Sequence, residues 1–476
     1  MDLFHEIALY FGPDGGTRRI VMLGCVLLGV SSGVLGTFAF LRRQSLLGDA
    51  MAHAALPGIC VAFLIFQVKN PLYFLIGATC SGLLGAWLVS VITRHSRIKN
   101  DTAIGLVLSV FFGLGVVLLT VIQQQKIANQ AGLENFLFGQ AAFLLRQDLY
   151  TIAGMCVLLI FFVFLFFKEF KILSFDPGFG ASLGLPMRKL ELLLTGLIVI
   201  SVMIGLQAVG VILMAALLII PAAAARQWTD RLGLMIVIAA IIGAVSGILG
   251  AFVSTIFSKM PTGPVMVLAA STVLLFSLFF APKRGLIYSW RRLYANRRKV
   301  ETENLLKAFY MIGERAGLDP QKDTCSISRL LKALPWSVSK MEWACQRLVT
   351  TGELQVVSGG WLLTGKGANR AKQIVRNHRL WELYLSRQAD IAIDHVHRDA
   401  EEMEHILSPE LVRQLEEILE HPELDPHGKP IPTPAPLNEV EQVLESSAEE
   451  GDEEVEGAEE SVTQDEEALE NSGESE

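Results

Sequence analysis

The stretch LRRQSLLGDAMAHAALPG, residues 41–58, is the most informative part of the chain. Asp49 and His53 stand four residues apart at the head of an apolar segment that runs to Phe66. Residues at this spacing share one face of a helix, so the carboxylate and the imidazole can point at the same ion. A charge at membrane depth costs roughly 2.5–3.5 kcal/mol on insertion scales, and such residues usually line a pathway or pair internally.

A carboxylate with an imidazole suits Mn²⁺, Fe²⁺ or Zn²⁺ better than Ca²⁺ or Mg²⁺, which prefer oxygen ligands alone. The alternative is that Asp49 caps the start of the helix and His53 is a satisfied histidine inside a helix bundle. The stretch resembles the second-helix motif of ABC-type zinc/manganese/iron permeases, R-R-x-x-L-x-G-D-A-x-x-H-A-x-x-P-G. That resemblance implies that Asp49 and His53 belong to the metal path.

Long apolar runs predict a mainly α, polytopic membrane domain over residues 20–282. The run Leu190–Ala225 would be about 54 Å long as one helix, too long for a single crossing, so we divide it at Gly205–Gly210. This division gives about nine spans. They lie near residues 20–41, 49–67, 72–93, 102–122, 149–167, 190–205, 210–225, 233–257 and 262–281.

The basic residues predict the orientation. They concentrate in alternate loops and in the cluster Lys283–Lys299, so we place these loops and the C-terminal part in the cytoplasm of a bacterium and the protein in its cytoplasmic (inner) membrane. Residues 1–19 then form an external N-terminal segment. Residues 129–147 are too polar to span and are predicted to be an external interfacial or re-entrant piece.

The segment SFDPGFGASLGLPMRKL, residues 174–190, is predicted to be a short cytoplasmic helix between two spans. Asp176-Pro177 is typical of a helix start, and Gly184 should break the helix before the next span. The segment resembles the ATPase-coupling segment of the same permeases. The later stretch GLQAVGVILMAALLIIPAAAARQW also resembles one of their signatures.

These resemblances imply a permease that dimerises with a second permease subunit, binds cytoplasmic ATPase subunits and accepts metal from an external solute-binding protein. ATP hydrolysis is expected on the separate subunit, so we predict no enzyme activity and no ATP site here. The nearest match to a P-loop is GWLLTGKG, Gly360–Gly367, in which Gly367 stands where Ser or Thr is needed for Mg²⁺.

Beyond Pro282 the composition becomes that of a soluble protein. Residues 283–300 are a basic juxtamembrane linker, which either contacts anionic membrane lipid or follows the positive-inside rule. Residues 301–367 predict a winged helix-turn-helix with helices at Ile327–Leu334 and Ser337–Thr350, followed by a wing at Leu354–Thr364. Ser337, Ser339 and Lys340 are candidates for contact with operator DNA. Winged helices also dock proteins, and that alternative stays open.

Residues 368–425 carry histidines and carboxylates at helical spacing: His378, Glu382, His397, Glu401, Glu404 and His405. Such donors suit a first-row divalent metal, while a solvated charged face is the alternative. The pattern, with S-P-E-L and D-P-H-G-x-P-I-P after it, resembles the DtxR/MntR iron- and manganese-dependent repressors.

That resemblance implies that His378, Glu401, Glu404 and His405 are ligands of manganese or iron. It also matches His378, Glu382 and His397 to an ancillary site. The family takes further ligands from the first helix, where this chain has Asn304 and Lys307. Lys307 would repel a second cation, which argues against a full two-metal site and leaves one metal held by residues 378–405.

The net charge of −8 hides a strong asymmetry, because residues 439–476 hold 17 acidic and no basic side chains and the rest of the chain carries +9. Residues 426–476 are therefore predicted to be a disordered acidic tail.

The whole sequence predicts the permease subunit of an ABC-type importer for Mn²⁺ or Fe²⁺, fused to a cytoplasmic metal-responsive regulator. The alternatives are a zinc importer with a vestigial sensor and a permease whose C-terminal part is a DNA-binding repressor.

Overall fold

The computed structural model describes residues 16–67, 71–124, 144–257, 260–388, 401, 403–405 and 407–433. The described chain is mainly α-helical and divides into two compact units, with the boundary between Ser289 and Trp290. Most of residues 1–19, 129–147 and the acidic tail, together with His397, lie outside the described residues, so the predictions for them stay predictions.

The first unit contains eleven of the described helices, and most are apolar along their whole length. In chain order they are α1 Gly16–Leu41, α2 Ser45–Phe66, α3 Pro71–His95, α4 Asn100–Gln124, α5 Arg146–Leu165, α6 Phe167–Phe175, α7 Pro177–Ser182, α8 Met187–Val209, α9 Val211–Trp228, α10 Leu232–Ile256 and α11 Thr262–Phe280.

Within the described residues, eight helices are long and apolar enough to cross a membrane, namely α1–α5, α8, α10 and α11. Helix α9 contributes a shorter apolar segment, Leu213–Trp228. The polytopic helical architecture is confirmed. The predicted number of about nine spans corresponds to eight long apolar helices and this short one.

The long apolar run divides at Gly210, which has a φ of +91° and separates α8 from α9. Glycine accepts this backbone conformation without the steric cost that a side chain would bring. The predicted break at Gly205–Gly210 is confirmed at its C-terminal end.

Helices α1 and α10 pack with their backbones nearly in contact. A Cβ atom on Gly243 would lie 2.0 Å from the carbonyl oxygen of Gly29, and one on Gly33 would lie 2.4 Å from that of Ala239. Close approach of this kind is typical of membrane helices, where packing replaces the hydrophobic effect between helices.

Helix α2 is enclosed by its neighbours in the same way. Gly58 and Gly77 bring α2 and α3 together, and the Ser81 hydroxyl donates to the Ala54 carbonyl at 2.6 Å. Gly115 of α4 packs against Leu56 of α2. Helix α2 is therefore held from several sides, which fixes the positions of the polar residues near its start.

The second unit begins within helix α12 (Leu286–Ala316) and continues with α13 (Ile327–Ala333), α14 (Val338–Thr350), β1 (Leu354–Val357), β2 (Gly360–Leu363), α15 (Gly365–Arg387) and α16 (Pro409–Ile418). The two strands pair antiparallel, with Val357 opposite Gly360. The predicted winged helix-turn-helix is confirmed. The linker predicted at 283–300 is largely helical, because α12 runs from it into the first helix of the second unit.

The ordered chain also extends past the predicted start of the tail at residue 426. Asp425 accepts hydrogen bonds from the backbone N–H groups of His427 and Lys429, both at 2.8 Å, and Ile431 is buried. The Pro430 carbonyl accepts from Arg379 at 2.5 Å. Residues 426–433 thus belong to the folded unit.

We predict that Gly243→Ala destabilises the membrane unit, because its Cβ cannot fit against Gly29 without moving α1 and α10 apart. Overpacking of this kind costs about 1–3 kcal/mol or more. Gly105→Ala is the matched control, since nothing lies within 4 Å of its Cβ position. Thermal unfolding in detergent, followed by size-exclusion chromatography, should show a lower midpoint only for Gly243→Ala; equal midpoints would contradict the packing.

Candidate metal path and regulatory site

Asp49 and His53 lie on α2 as an i, i+4 pair, with His53 Nε2 3.5 Å from Asp49 Oδ1. Their side chains keep 38% and 21% of their surface exposed, whereas most of their neighbours on α2 are buried. The His53 ring packs edge-on against Phe112 of α4, with centroids 4.9 Å apart. An acidic oxygen and an imidazole nitrogen are thus presented together at an accessible point of an otherwise apolar bundle.

The alternative in which Asp49 caps the helix does not hold. Helix α2 begins at Ser45 and Gln44 occupies the N-cap position, so Asp49 lies inside the helix. The Asp49 carboxylate is therefore free of the capping role and available to a ligand beside His53.

The segment predicted to couple to an ATPase forms a capped helix. The Asp176 carboxylate accepts from the Phe179 N–H at 2.8 Å, and Pro177 occupies the first turn of α7. Gly184, with a φ of +77°, ends the segment before α8. Both ends of this helix were predicted from the sequence. Its role in coupling to an ATPase stays a proposal.

An ion-pair cluster lies next to α7. Glu191 of α8 contacts Arg42 at 2.6 Å and Arg94 at 3.0 Å, which ties together the ends of α1, α3 and α8. A pocket between this cluster and α7 is lined by Leu41, Arg42, Arg43, Leu173, Ser174, Pro177, Met187, Arg188 and Glu191. The two arginines of the R-R motif thus face the base of the proposed coupling segment.

Two of the three candidate DNA-contacting residues have structural partners within the unit. Ser337 caps α14 by accepting from the Lys340 N–H at 3.4 Å. The Lys340 ammonium donates to Glu301 at 2.5 Å and lies over the Trp336 ring. Ser339 is exposed. An ammonium already paired with a carboxylate is a weaker partner for a phosphate.

His378 and Glu382 lie on the buried stripe of α15, among Ala371, Ile374 and Val375. Thr364 starts this helix by accepting from the Gly367 N–H at 3.1 Å, so the sequence GWLLTGKG forms the second wing strand and a helix cap. The two ring nitrogens of His378 face different carboxylates, with Nε2 3.2 Å from Glu382 and Nδ1 2.5 Å from Glu404.

Lys307 of α12 is the central cation of this cluster. Its Nζ lies 2.7 Å and 3.0 Å from the two carboxylate oxygens of Glu404 and 3.2 Å from His378 Nδ1. The Lys307 side chain is 9% exposed and that of Glu404 is fully buried. From the sequence, Lys307 stands at a position where the repressor family has a metal ligand. In the structure its ammonium lies directly against two predicted metal ligands, His378 and Glu404.

The other predicted ligands are arranged differently from one helical stripe. Glu404 and His405 lie in a turn, and Glu401 is exposed. His405 Nδ1 lies 2.5 Å from Glu303, and its Nε2 lies 3.2 Å from the Asn304 amide oxygen. Among the described residues, no group of three or more His, Cys, Asp or Glu side chains is placed to hold a metal ion.

Charge pairing shifts two pKa values in this cluster. Burial lowers the pKa of His378, but hydrogen bonds to Glu382 and Glu404 outweigh burial and raise it above its ordinary value. Burial likewise opposes ionisation of Glu303, yet His405 and Arg370 hold the pKa of this carboxyl below its ordinary value. Both shifts stabilise the charged form relative to the same group in water, and the Lys307 ammonium opposes the shift of the His378 pKa.

Glu303 and Arg370 also belong to this cluster and were not predicted from the sequence. Arg370 bridges Glu353 at 2.5 Å and Glu303 at 3.2 Å, and both carboxylates are almost completely buried. Glu303 adjoins Asn304 and stands four residues before Lys307, so the helical spacing that aligned the site could have included it. Its partner Arg370 is 67 residues away, and no local pattern indicates the pair.

Two family models match the chain. The ABC 3 transport family model matches residues 17–281, more than half of the chain. The model of the iron dependent repressor, metal binding and dimerisation domain matches residues 364–433. The second match ends at the last described residue of the ordered unit, which agrees with the folded state of residues 426–433.

Relatives resemble the chain over most of their own length. The manganese transport system membrane protein MntC of Bacillus subtilis is 47% identical over 378 residues, 78% of this chain and 85% of that protein. The zinc transport system membrane protein TroC of Treponema pallidum is 47% identical over 277 residues, 58% of this chain and 93% of that protein. A solved structure, PsaBC from Streptococcus pneumoniae in complex with Fab, matches with 32% identity and a TM-score of 0.53, covering 60% of this chain and 98% of that chain.

We predict that Arg370→Met destabilises the second unit by about 3–5 kcal/mol, because it leaves the Glu353 carboxylate buried without its cation and removes one of the two partners of Glu303, the other being His405. Arg413→Met is the matched control, since its pair with Glu410 is more than half exposed and such pairs contribute about 0–1 kcal/mol. Denaturant titration followed by tryptophan fluorescence measures both. Similar losses for the two variants would refute a structural role for the buried bridge.

Proposed function

Because the chain belongs to the ABC 3 transport family, we propose that it is the permease subunit of an ABC-type importer for a divalent transition metal, Mn²⁺ or Fe²⁺. It is a multi-pass membrane protein with a repressor-type domain at its C-terminal end. The observation that carries the proposal is the Asp49–His53 pair, an oxygen and a nitrogen donor side by side in an apolar helix.

The donor chemistry limits the cargo to a small set of ions. One carboxylate and one imidazole suit Mn²⁺, Fe²⁺ and Zn²⁺, whereas Ca²⁺ and Mg²⁺ prefer oxygen alone. Because both side chains are partly exposed, Asp49 and His53 can give up their contact with each other and bind an ion instead. A zinc importer is the second candidate, because relatives at equal identity are named for manganese and for zinc transport.

In the proposed mechanism the energy comes from ATPase subunits on the cytoplasmic side, and this chain supplies the moving helices. Helix α7 exposes Phe179, and the neighbouring Leu183 is also exposed, so the segment offers an apolar contact to an ATPase. Asp176 and Gly184 fix its two ends. A second permease subunit and an external solute-binding protein complete the assembly.

We further propose that the second unit regulates transport by its own permease from the cytoplasm. The pairing of Lys340 with Glu301 favours this role over DNA binding through α14. A metal effector would lie at Nε2 of His378, which is 3.2 Å from Glu382, with His397 as the predicted third ligand. Operator binding by the purified full-length protein would instead support the repressor alternative.

We predict that His53→Ala and Asp49→Asn each lower metal uptake by about tenfold or more, because loss of a direct ligand costs at least as much as the ~10–100-fold loss from a supporting group. The measurement is ⁵⁴Mn²⁺ and ⁵⁵Fe²⁺ uptake by proteoliposomes with the ATPase, with Zn²⁺ as competitor. His95→Ala and Asp101→Asn are controls, since both residues are exposed near helix ends. Normal uptake by the Asp49 and His53 variants would rule out this path.

We also predict that Phe179→Ala weakens binding of the ATPase subunits about tenfold, because an exposed aromatic side chain is a typical anchor of an interface. Phe164→Ala on α5 is the control; Phe164 is also exposed, but it belongs to a predicted membrane span. Affinity can be measured by microscale thermophoresis in detergent. A loss for Phe164→Ala and none for Phe179→Ala would place the ATPase elsewhere.

A further inference from the structure

Glu404 and His378 are donors that match a metal site in kind, and both lie in the region that the repressor-type domain model describes as metal-binding. The distance between the donors argues against a metal there. Two ligands about 2.1 Å from one ion, at a right angle, are about 3 Å apart. Glu404 Oε2 and His378 Nδ1 are 2.5 Å apart, which is a hydrogen-bond distance.

The Lys307 ammonium lies against the same donors. It contacts both oxygens of Glu404, at 2.7 and 3.0 Å, and Nδ1 of His378, at 3.2 Å. An ion that used these same donors would have to take the place of the ammonium. If the ammonium stayed, the ion would meet a positive charge at a few ångströms in a site with little water, where repulsion is strong.

The Lys307 side chain is held in place by the surrounding core. It lies on α12 between Leu305, Leu306 and Phe309, which belong to the hydrophobic core of the second unit. Its side chain is 9% exposed, and its partner Glu404 is fully buried. Moving the ammonium out would leave the buried Glu404 carboxylate with only the imidazoles of His378 and His405 beside it until a metal arrived, and breaking a buried pair in this way is strongly unfavourable.

We propose that Lys307 takes the place of a metal ion between Glu404 and His378. The tethered ammonium holds these two side chains together at every metal concentration, so this part of the second unit does not respond to metal. Metal effects on the unit are confined to other ligands, such as Nε2 of His378 with Glu382. The proposal goes beyond transport and does not depend on the Asp49–His53 path.

The test uses the full-length protein in detergent, with Mn²⁺ as the probe. After equilibrium dialysis, bound Mn²⁺ per chain is obtained from the electron paramagnetic resonance signal of the free ion. We expect Lys307→Met to bind one more Mn²⁺ per chain than the wild type, because it removes the charge and keeps most of the length of the side chain. The double variant Lys307→Met/Glu404→Gln should lose that extra ion.

Two comparisons serve as controls, because the membrane path contributes equally to all these proteins. Lys307→Arg keeps a cation and should bind as much Mn²⁺ as the wild type. Glu404→Gln alone should also match the wild type. If Glu404→Gln binds one ion fewer than the wild type, or if folded Lys307→Met gains none, the proposal is wrong.

A second measurement needs no variant. The wild-type chain is treated with an amine-reactive acetylating reagent, with and without Mn²⁺, and the Lys307 peptide is followed by mass spectrometry. Lys322, whose side chain is 82% exposed, is the internal standard for a reactive lysine. We expect slow labelling of Lys307 that is unchanged by Mn²⁺. Faster labelling with Mn²⁺ would show that metal displaces the ammonium and would overturn the proposal.

Discussion

A charge removed from water has to be paired, and this constraint organises the polar residues of both units. In the membrane unit, Glu191 joins Arg42 and Arg94 beside the proposed coupling segment. In the second unit, Arg370 joins Glu303 and Glu353, and Lys307 joins Glu404 and His378. Each cluster connects helices or strands that are distant in sequence, so the same contacts that satisfy the charges also fix the tertiary structure.

The Asp49–His53 pair differs from those clusters in a way that suits a transported ion. Its two groups are 3.5 Å apart and keep a substantial exposed fraction, and no basic side chain competes for the Asp49 oxygen in the described contacts. A divalent ion can enter such a pair by replacing a weak contact. Around Glu404 the donors are buried and bound to an ammonium, so the same residue types produce a closed structural site.

Local patterns predicted the parts of the structure that depend on local physics. Helical spacing placed Asp49 beside His53, turn residues placed Gly184 and Gly210, and strand alternation placed the wing. The contact of Lys307 with Glu404 was not predicted, because these residues are 97 positions apart. Periodicity shows which residues share one face of a helix, but not which distant residues that face contacts. Residues 426–433 were assigned to the tail by composition, which overlooked the ordered turn at Asp425.

The same chain thus has an accessible pair of donors at Asp49 and His53 and a buried cluster at Glu404 that an ammonium closes. Crystals of the full-length protein soaked in Mn²⁺ and measured at the manganese absorption edge test both assignments together. We expect an anomalous peak between Asp49 and His53 and none between Glu404 and Nδ1 of His378. A peak at Glu404 with none at Asp49 would contradict both assignments, because it would put the metal where the Lys307 ammonium lies.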